Sequence, residues 1–125
     1  MIGYVMIGTN DLEKAAGFYD QVLGIMGAER FMEMERGIAY RAGENSPGVG
    51  IGKPFDGNPA SVGNGMMVSL AASSPEQVKE IYDKALELGA TDEGAPGARG
   101  GGPFYGAYFR DLDGNKLCAF CMAPQ

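Results

Sequence analysis

The stretch YVMIGTNDLEKAAGFYDQVLG, residues 4 to 24, decides the fold. Tyr4 to Ile7 form an apolar segment typical of a short strand, and the side chain of Asn10 or Asp11 can cap a helix. Apolar residues then recur every three or four positions, which predicts a helix with one buried face, and Gly24 ends it. The stretch therefore predicts a strand that leads directly into an amphipathic helix.

The same pattern of a strand followed by a helix returns in the second half of the chain. FYDQVL from Phe18 aligns with IYDKAL from Ile81, and YVMI from Tyr4 aligns with MVSL from Met67. Ser74 provides the cap of the second helix. Because strand aligns with strand and helix with helix, the sequence predicts two similar halves.

The remainder of each half consists of short segments broken by glycine and proline. They predict further strands in AERFMEME, GIAYRAG and GVGIG, and later in FYGAYFRD and NKLCAFC. DLDGN at 111–115 predicts a hairpin turn before the last strand. APGARGGGP at 95–103 predicts a mobile loop, because glycine reaches backbone conformations that are closed to other residues.

Charge limits the range of partners. The 125 residues include 16 acidic and 10 basic side chains, a formal charge of −6, with no run of Lys or Arg. Nucleic acid and membrane surfaces are therefore not expected partners, and no apolar stretch approaches the roughly 20 residues that span a bilayer. The N-terminus lacks the basic and apolar start of a signal peptide, so the expected location is the cytoplasm.

Histidine is absent from the chain. This removes the commonest neutral metal ligand and the usual general base near neutral pH. Cys118 and Cys121 are the only cysteines. In a strand they point to opposite faces, so we expect two reduced thiols rather than a disulfide.

Four stretches, in the order GTNDLEKAAGFYDQVLG, GNGMMVSL, ALELGATDEGAPGARG and YGAYFRDLDGNKLCAFC, resemble the glyoxalase/bleomycin-resistance/dioxygenase superfamily, also called vicinal oxygen chelate proteins. The resemblance implies an α+β fold of two βαβββ modules whose curved mixed sheets surround a central cavity. We expect one domain over 1–125, with modules at about 1–53 and 66–125 and a connection at 54–65. The resemblance also implies a homodimer, because members of the family commonly complete their pockets across a two-fold interface.

In the enzymes of this family the cavity holds a divalent metal, with ligands from the first and last strands of each module. The resemblance places Tyr4, Met67 and Cys118 where the family has two histidines and a glutamate, and the fourth position falls near Gly50. A phenol, a thioether, a thiol and a residue without a side chain do not suit a hard divalent ion. A soft Cu(I) site of Cys118 and Met67 has too few ligands, so we expect neither a metal nor another cofactor.

Strand alternation assigns the cavity face independently of the resemblance. If Val5, Ile7, Val49 and Ile51 face the helix, their neighbours face the cavity. The candidate ligand-binding residues are Tyr4, Met6, Gly50, Met67, Ser69, Cys118 and Phe120, together with Tyr108 and Arg110, which share one face of the penultimate strand. Tyr105 lies on the opposite face of that strand, so at most one of the two tyrosines can face the cavity. Most of the candidate residues are apolar or small, as in the usual small-molecule site.

Two of these residues have competing interpretations. Cys118 is either a small buried apolar residue or a reactive thiol, and no histidine is available to activate it. Arg110 either grips an anionic or planar ligand together with Tyr108, or pairs with Asp111 or Asp113 at the turn, which we favour.

The expected function is therefore binding of a small, mostly apolar or aromatic organic molecule in the central cavity, with a hydrogen bond from Tyr4. The alternative is a metal-independent lyase or isomerase that uses Tyr4, Cys118 or Arg110. A third outcome is that Tyr4 and Met67 fill the cavity, or that Tyr4 is buried and bonded to backbone. Metal-dependent glyoxalase or dioxygenase activity is not expected, because it needs a Lewis acid.

Overall fold

The computed structural model describes residues 1–122 and divides the chain into two units, Met1–Val62 and Gly63–Gln125. Residues 123–125, the end of the expected second module, lie outside the described residues. Unit 1 contains β1 (Tyr4–Gly8), α1 (Leu12–Gly24), β2 (Glu29–Glu33), β3 (Gly37–Arg41) and β4 (Gly48–Gly52). Unit 2 contains β5 (Val68–Ala71), α2 (Pro75–Glu87), β6 (Thr91–Ala98), β7 (Phe104–Arg110) and β8 (Lys116–Met122). The predicted α+β fold of two βαβββ modules is confirmed.

Unit 1 is a four-stranded mixed sheet in the order β1-β4-β3-β2, in which β1 and β4 are parallel. Asp11 caps α1, because its carboxylate accepts a hydrogen bond from the Lys14 amide at 3.1 Å. The buried residues of this unit come from one face of α1 and one face of the sheet. They are Ile7, Ala15, Ala16, Phe18, Tyr19, Val22, Leu23, Ile38, Tyr40 and Ile51. The helix therefore covers only one side of the sheet.

A polar network ties α1 to β2 and β3. Arg30 donates to both carboxylate oxygens of Asp20, at 2.8 and 2.7 Å, and the Tyr40 hydroxyl donates to Asp20 at 2.8 Å. The guanidinium lowers the pKa of the Asp20 carboxyl. The register of β2 shifts between Arg30 and Met32. This bulge leaves Phe31 on the side of the sheet away from α1, under the guanidinium of Arg41.

Unit 2 repeats the arrangement with the order β5-β8-β7-β6. Helix α2 begins after Ser74, whose hydroxyl accepts from the Gln77 amide at 3.1 Å, and Gln77 in turn accepts from the Ser73 amide at 2.8 Å. Both helices have 13 residues, and among residues 1–122 no helix is long and apolar enough to cross a bilayer. Cys118 and Cys121 are both free thiols, as predicted, and both are buried.

The prediction of a mobile loop over 95–103 is wrong for its first part. Residues 95–98 belong to β6, which pairs with β7 as an edge strand and shifts register on both sides of Gly94. Pro96 is compatible with an edge strand, where an amide need not join the ladder. The glycines and the proline that indicated a loop instead produce an irregular strand.

The capping of α2 by Ser74 leads to a stability prediction. Ser74→Ala removes the acceptor of the Gln77 amide and should lower the free energy of unfolding by about 1 kcal/mol. Ser73→Ala is the matched control, because it keeps the backbone amide that donates a hydrogen bond to the Gln77 side chain. This variant should lower the free energy of unfolding by less than about 0.5 kcal/mol. Urea unfolding followed by circular dichroism measures both. Equal losses in the two variants would show that the cap does not stabilise this helix.

Candidate functional site

The face of the unit 1 sheet away from α1 carries the residues that alternation assigned to it. Tyr4 and Met6 are 68% and 57% exposed, so the alternative in which Tyr4 is a buried side chain is wrong for this chain. The thioether of Met6 lies over Gly50, where an added Cβ would overlap its sulfur, and its methyl reaches Gly52. Tyr4, Met6 and Gly50 therefore share one open face.

A cavity of about 560 Å³ lies at one end of this open face. Its floor is a row of glycines on three adjacent strands, since Gly52 is the register partner of both Gly8 and Gly37. A Cβ at Gly37 would come within 3.2 Å of the Ile51 carbonyl oxygen. The floor is low because its residues lack side chains.

The walls of the cavity come mainly from loops. Met34 precedes the turn into β3, Phe55 follows β4, and both side chains are exposed, at 58% and 90%. Met6 is the only one of the candidate residues from the sequence that lines this cavity. Sequence reasoning missed both Met34 and Phe55. Met34 lies in the predicted strand AERFMEME but follows the observed end of β2 at Glu33, and Phe55 lies in the connection after β4, where alternation assigns no face.

Two cations stand at the rim of the cavity. Arg36 and Lys53 line it, and they also line an adjacent, more polar cavity of about 270 Å³. The Lys53 amide donates to the Arg36 carbonyl at 2.9 Å, and the Arg36 guanidinium lies 5.1 Å from the centre of the Phe55 ring. The segment after β4 is tied to the end of β1, because the Ala60 amide donates to the Asn10 side chain at 2.6 Å.

In unit 2, three of the candidate residues lie side by side on neighbouring strands of the open face. Ser69 and Tyr108 are both register partners of Cys118, from the strands on either side of it. Met67 lies one residue before β5 and is 43% exposed. Sequence alternation placed Ser69 and Cys118 on one face, and the structure adds Tyr108, which the sequence left as one of two tyrosines that could lie there.

The Cys118 thiol is completely buried. Burial raises its pKa, although hydrogen bonds with Ser69 and Tyr108 and the positive charges of Arg99 and Lys116 act in the opposite direction. The thiol is therefore held in its protonated form at neutral pH, which favours the interpretation of Cys118 as a small buried residue.

Aromatic rings and cations lie on the same face of the sheet as this thiol. Arg99 and Lys116 each lie 5.5 Å from the centre of the Tyr108 ring. Phe120 stacks on Phe104 with ring centres 5.4 Å apart. Arg99 was missed by sequence reasoning, because it lies within the segment 95–103 that was interpreted as a loop.

Arg110 has a partner other than the predicted one. We expected Asp111 or Asp113 at the turn, whereas the guanidinium forms its ion pair with Glu93 of β6 and donates to the Gly114 carbonyl at 2.9 Å. Asp111 instead accepts hydrogen bonds from the amides of the turn. The extra residue in the bulge of β6 brings Glu93 toward Arg110.

The side chains at the family's metal-ligand positions do not fit a divalent metal. Tyr4 offers a phenol, Gly50 offers no side chain, Met67 offers a thioether, and Cys118 is a buried thiol with a raised pKa. Among residues 1–122, no group of three or more His, Cys, Asp or Glu side chains is arranged to hold an ion.

The burial of Cys118 leads to a prediction on reactivity. In a Cys121→Ala variant, which leaves Cys118 as the only thiol, iodoacetamide at neutral pH should react at least about 100-fold more slowly with the folded chain than with the urea-unfolded chain. The reason is that the folded thiol is both inaccessible and protonated. Labelling at the rate of the unfolded chain, or faster, would instead support the reactive-thiol interpretation.

The sign of the pKa change also predicts a pH dependence. Because the folded pKa of Cys118 is raised, its contribution to the free energy of unfolding is fully present below the ordinary thiol pKa and is lost as the pH rises through the folded value.

Comparison with known proteins agrees with this architecture. Residues 1–119 match the Glyoxalase/Bleomycin resistance protein/Dioxygenase superfamily. No curated protein matches the sequence. A glyoxalase/bleomycin resistance protein from Albidiferax ferrireducens T118 is 39% identical, with a TM-score of 0.88 over 97% of this chain and 98% of that chain.

More distant structures share the fold alone. A glyoxalase/bleomycin resistance protein/dioxygenase family enzyme from Burkholderia phytofirmans PsJN is 18% identical, with a TM-score of 0.75 over 96% of this chain and 97% of that chain. Lactoylglutathione lyase from Agrobacterium tumefaciens is 19% identical, with a TM-score of 0.70 over 97% of this chain and 92% of that chain. From the match over residues 1–119 and the 39% identity to a solved member, the chain belongs to the glyoxalase/bleomycin resistance protein/dioxygenase superfamily.

Proposed function

We propose that the protein binds a small, mostly apolar or aromatic organic molecule without the help of a metal, and that the cavity of unit 1 receives the apolar part of that molecule. The observation that carries the proposal is the row of glycines at Gly8, Gly52 and Gly37 beneath a cavity of about 560 Å³. A concave, mostly apolar surface with a few polar groups is the usual form of a small-molecule site.

The side chains around the cavity suit such a ligand. Met6 and Met34 are flexible and polarizable, so they can adapt to the outline of an apolar molecule. Phe55 is 90% exposed and can offer its ring to a ligand, and aromatic contacts of this kind contribute about 0.5–1.5 kcal/mol beyond their buried area. Large exposed apolar side chains grouped on one face are typical of a binding surface.

The alternative of a metal-independent enzyme gains no support from the chemistry of its proposed residues. Cys118 is buried and protonated, and Arg110 is engaged by Glu93 and by the Gly114 carbonyl. The hydrogen-bond partners of Cys118 are Ser69 and Tyr108 rather than a histidine or a carboxylate, the usual bases that activate a thiol. The binding function is therefore the better proposal.

Removing the aromatic wall should weaken binding. Naphthylacetamide, a neutral aromatic probe, should give saturation transfer in ligand-observed NMR, and Phe55→Ala should raise its Kd by about fivefold. Phe31→Ala is the matched control, because Phe31 lies on the same open face but does not line the cavity, and it should change the Kd by less than about twofold. No saturation transfer with the unmodified protein, or equal losses in the two variants, would contradict the proposal.

Metal ions should not bind stoichiometrically at the family's ligand positions. Protein purified without an affinity tag should contain no equivalent of Ni, Zn, Mn or Fe by elemental analysis, and calorimetric titration with each ion should show no one-to-one binding. The reason is the donor set of Tyr4, Met67, Cys118 and Gly50. One ion per chain that is lost in a Tyr4→Phe or Cys118→Ser variant would overturn the metal-free proposal.

A further inference from the structure

We propose that the ligand of the unit 1 cavity carries an oxyanion, such as a carboxylate, and that Arg36 and Lys53 bind this group at the rim while the apolar part of the ligand lies over the glycine floor. The inference rests on the proposed function, because it names the class of ligand for the same cavity. It commits to one chemistry, an apolar or aromatic body with a single anionic head.

The first argument is that neither of these two cations is paired with a carboxylate. Among residues 1–122, the ion pairs of the chain involve Arg30, Lys79, Lys84 and Arg110, and neither Arg36 nor Lys53 forms an ion pair or a side-chain hydrogen bond. The sequence has 16 acidic residues for 10 basic ones, so an unpaired cation is not explained by a shortage of carboxylates. Glu35 lines the same cavity without pairing with either cation.

The second argument is geometric. The hydrogen bond from the Lys53 amide to the Arg36 carbonyl, at 2.9 Å, holds the backbones of the two residues side by side, and both residues line the same two cavities. The contact of the Arg36 guanidinium with the Phe55 ring orients one face of that cation and leaves its N–H edges for a ligand. Arg and Lys side chains both bind carboxylate and phosphate oxygens, and a guanidinium can hold a carboxylate through two parallel hydrogen bonds.

The third argument concerns where the cations lie relative to the apolar surface. Arg36, Lys53 and Pro54 line both the cavity of about 560 Å³ and the adjacent one of about 270 Å³. The larger cavity has Met6, Met34 and Phe55 in its lining, whereas the smaller one has Asn10 and Asn58. An anionic head at this boundary contacts both cations while its apolar body contacts the larger cavity.

The overall charge of −6 favours a cationic ligand, whereas Arg36 and Lys53 at the rim of the cavity favour an anionic one. Net charge acts over the whole surface and is screened by salt within about 10 Å, whereas contacts at the rim act on a bound group directly. Two isolated cations beside an apolar cavity fit a small amphipathic anion. They do not form the extended basic patch that nucleic acid requires.

A matched pair of ligands tests the inference. Naphthylacetate and naphthylacetamide have nearly the same shape and differ in charge, and calorimetry or NMR titration gives the Kd of each. The carboxylate should bind about tenfold more tightly than the amide, and its advantage should shrink as salt is added. Arg36→Gln and Lys53→Gln should each raise the Kd of the carboxylate by about fivefold and that of the amide by less than about twofold.

Lys14→Gln is the control for a general loss of positive charge in unit 1. Lys14 is an exposed cation of α1, which covers the other face of the sheet, and it lines neither cavity. This variant should leave both Kd values within about twofold. Amide shifts of Gly8, Gly37 and Gly52 on adding the carboxylate should place it over the floor of the cavity.

The possible failures are distinguishable. If both ligands bind with equal affinity, or if the Arg36 and Lys53 variants bind the carboxylate as well as the unmodified protein does, the oxyanion inference is overturned while the proposed binding function stands. If neither ligand binds, the proposed function fails and the inference fails with it. Unchanged thermal unfolding of the glutamine variants would show that any loss is local.

Discussion

The packing of one helix on one face of each four-stranded sheet is the constraint on which the rest of the structure depends. In unit 1 that face carries Ile7, Ile38 and Ile51, which are buried under α1. Because neighbouring side chains in a strand point to opposite faces, Tyr4 and Met6 are then directed to the other side. The apolar character of that open face is what makes it a candidate for binding.

The concavity of the open face is produced by missing side chains. Gly52 sits between Gly8 and Gly37 in the register, and a Cβ on Gly52 would come within 3.1 Å of the Arg36 carbonyl oxygen. Glycine is therefore required there by the close approach of the backbone as well as by the cavity. These glycines therefore allow the turn before β3 to pack closely against β4, and they also form the floor of the cavity.

Three arginines on the open faces contact aromatic rings, whereas the lysines of α2 form ion pairs with side chains of the same helix. Arg36, Arg41 and Arg99 each lie over an aromatic ring, at 5.1, 4.3 and 5.5 Å from its centre. By contrast, Lys79 and Lys84 form ion pairs within α2. Exposed ion pairs contribute little to stability, whereas a cation over a ring keeps its charge available to a ligand. The acidic net charge of the chain does not describe the charge at these faces.

The sequence by itself determined the strand and helix that open each half, the Ser74 cap of α2 and the face on which Tyr4, Met6 and Cys118 lie. These features depend on local periodicity and on side chains close to the groups that they cap, so the order of residues is sufficient to predict them. The complete βαβββ modules followed from the resemblance to the family, and the cap of α1 was left between Asn10 and Asp11. The absence of histidine likewise determined that the usual metal ligands are missing.

Only the tertiary structure decided which loop residues meet. Met34 and Phe55 lie on either side of β3 and β4 in the chain, and the strand register brings them to one cavity above Gly52. The pairing of Arg110 with Glu93 likewise depends on the bulge in β6. The glycines and the proline of that strand had indicated a loop. Register and loop conformation arise from contacts between residues distant in sequence, so no local pattern in the chain encodes them.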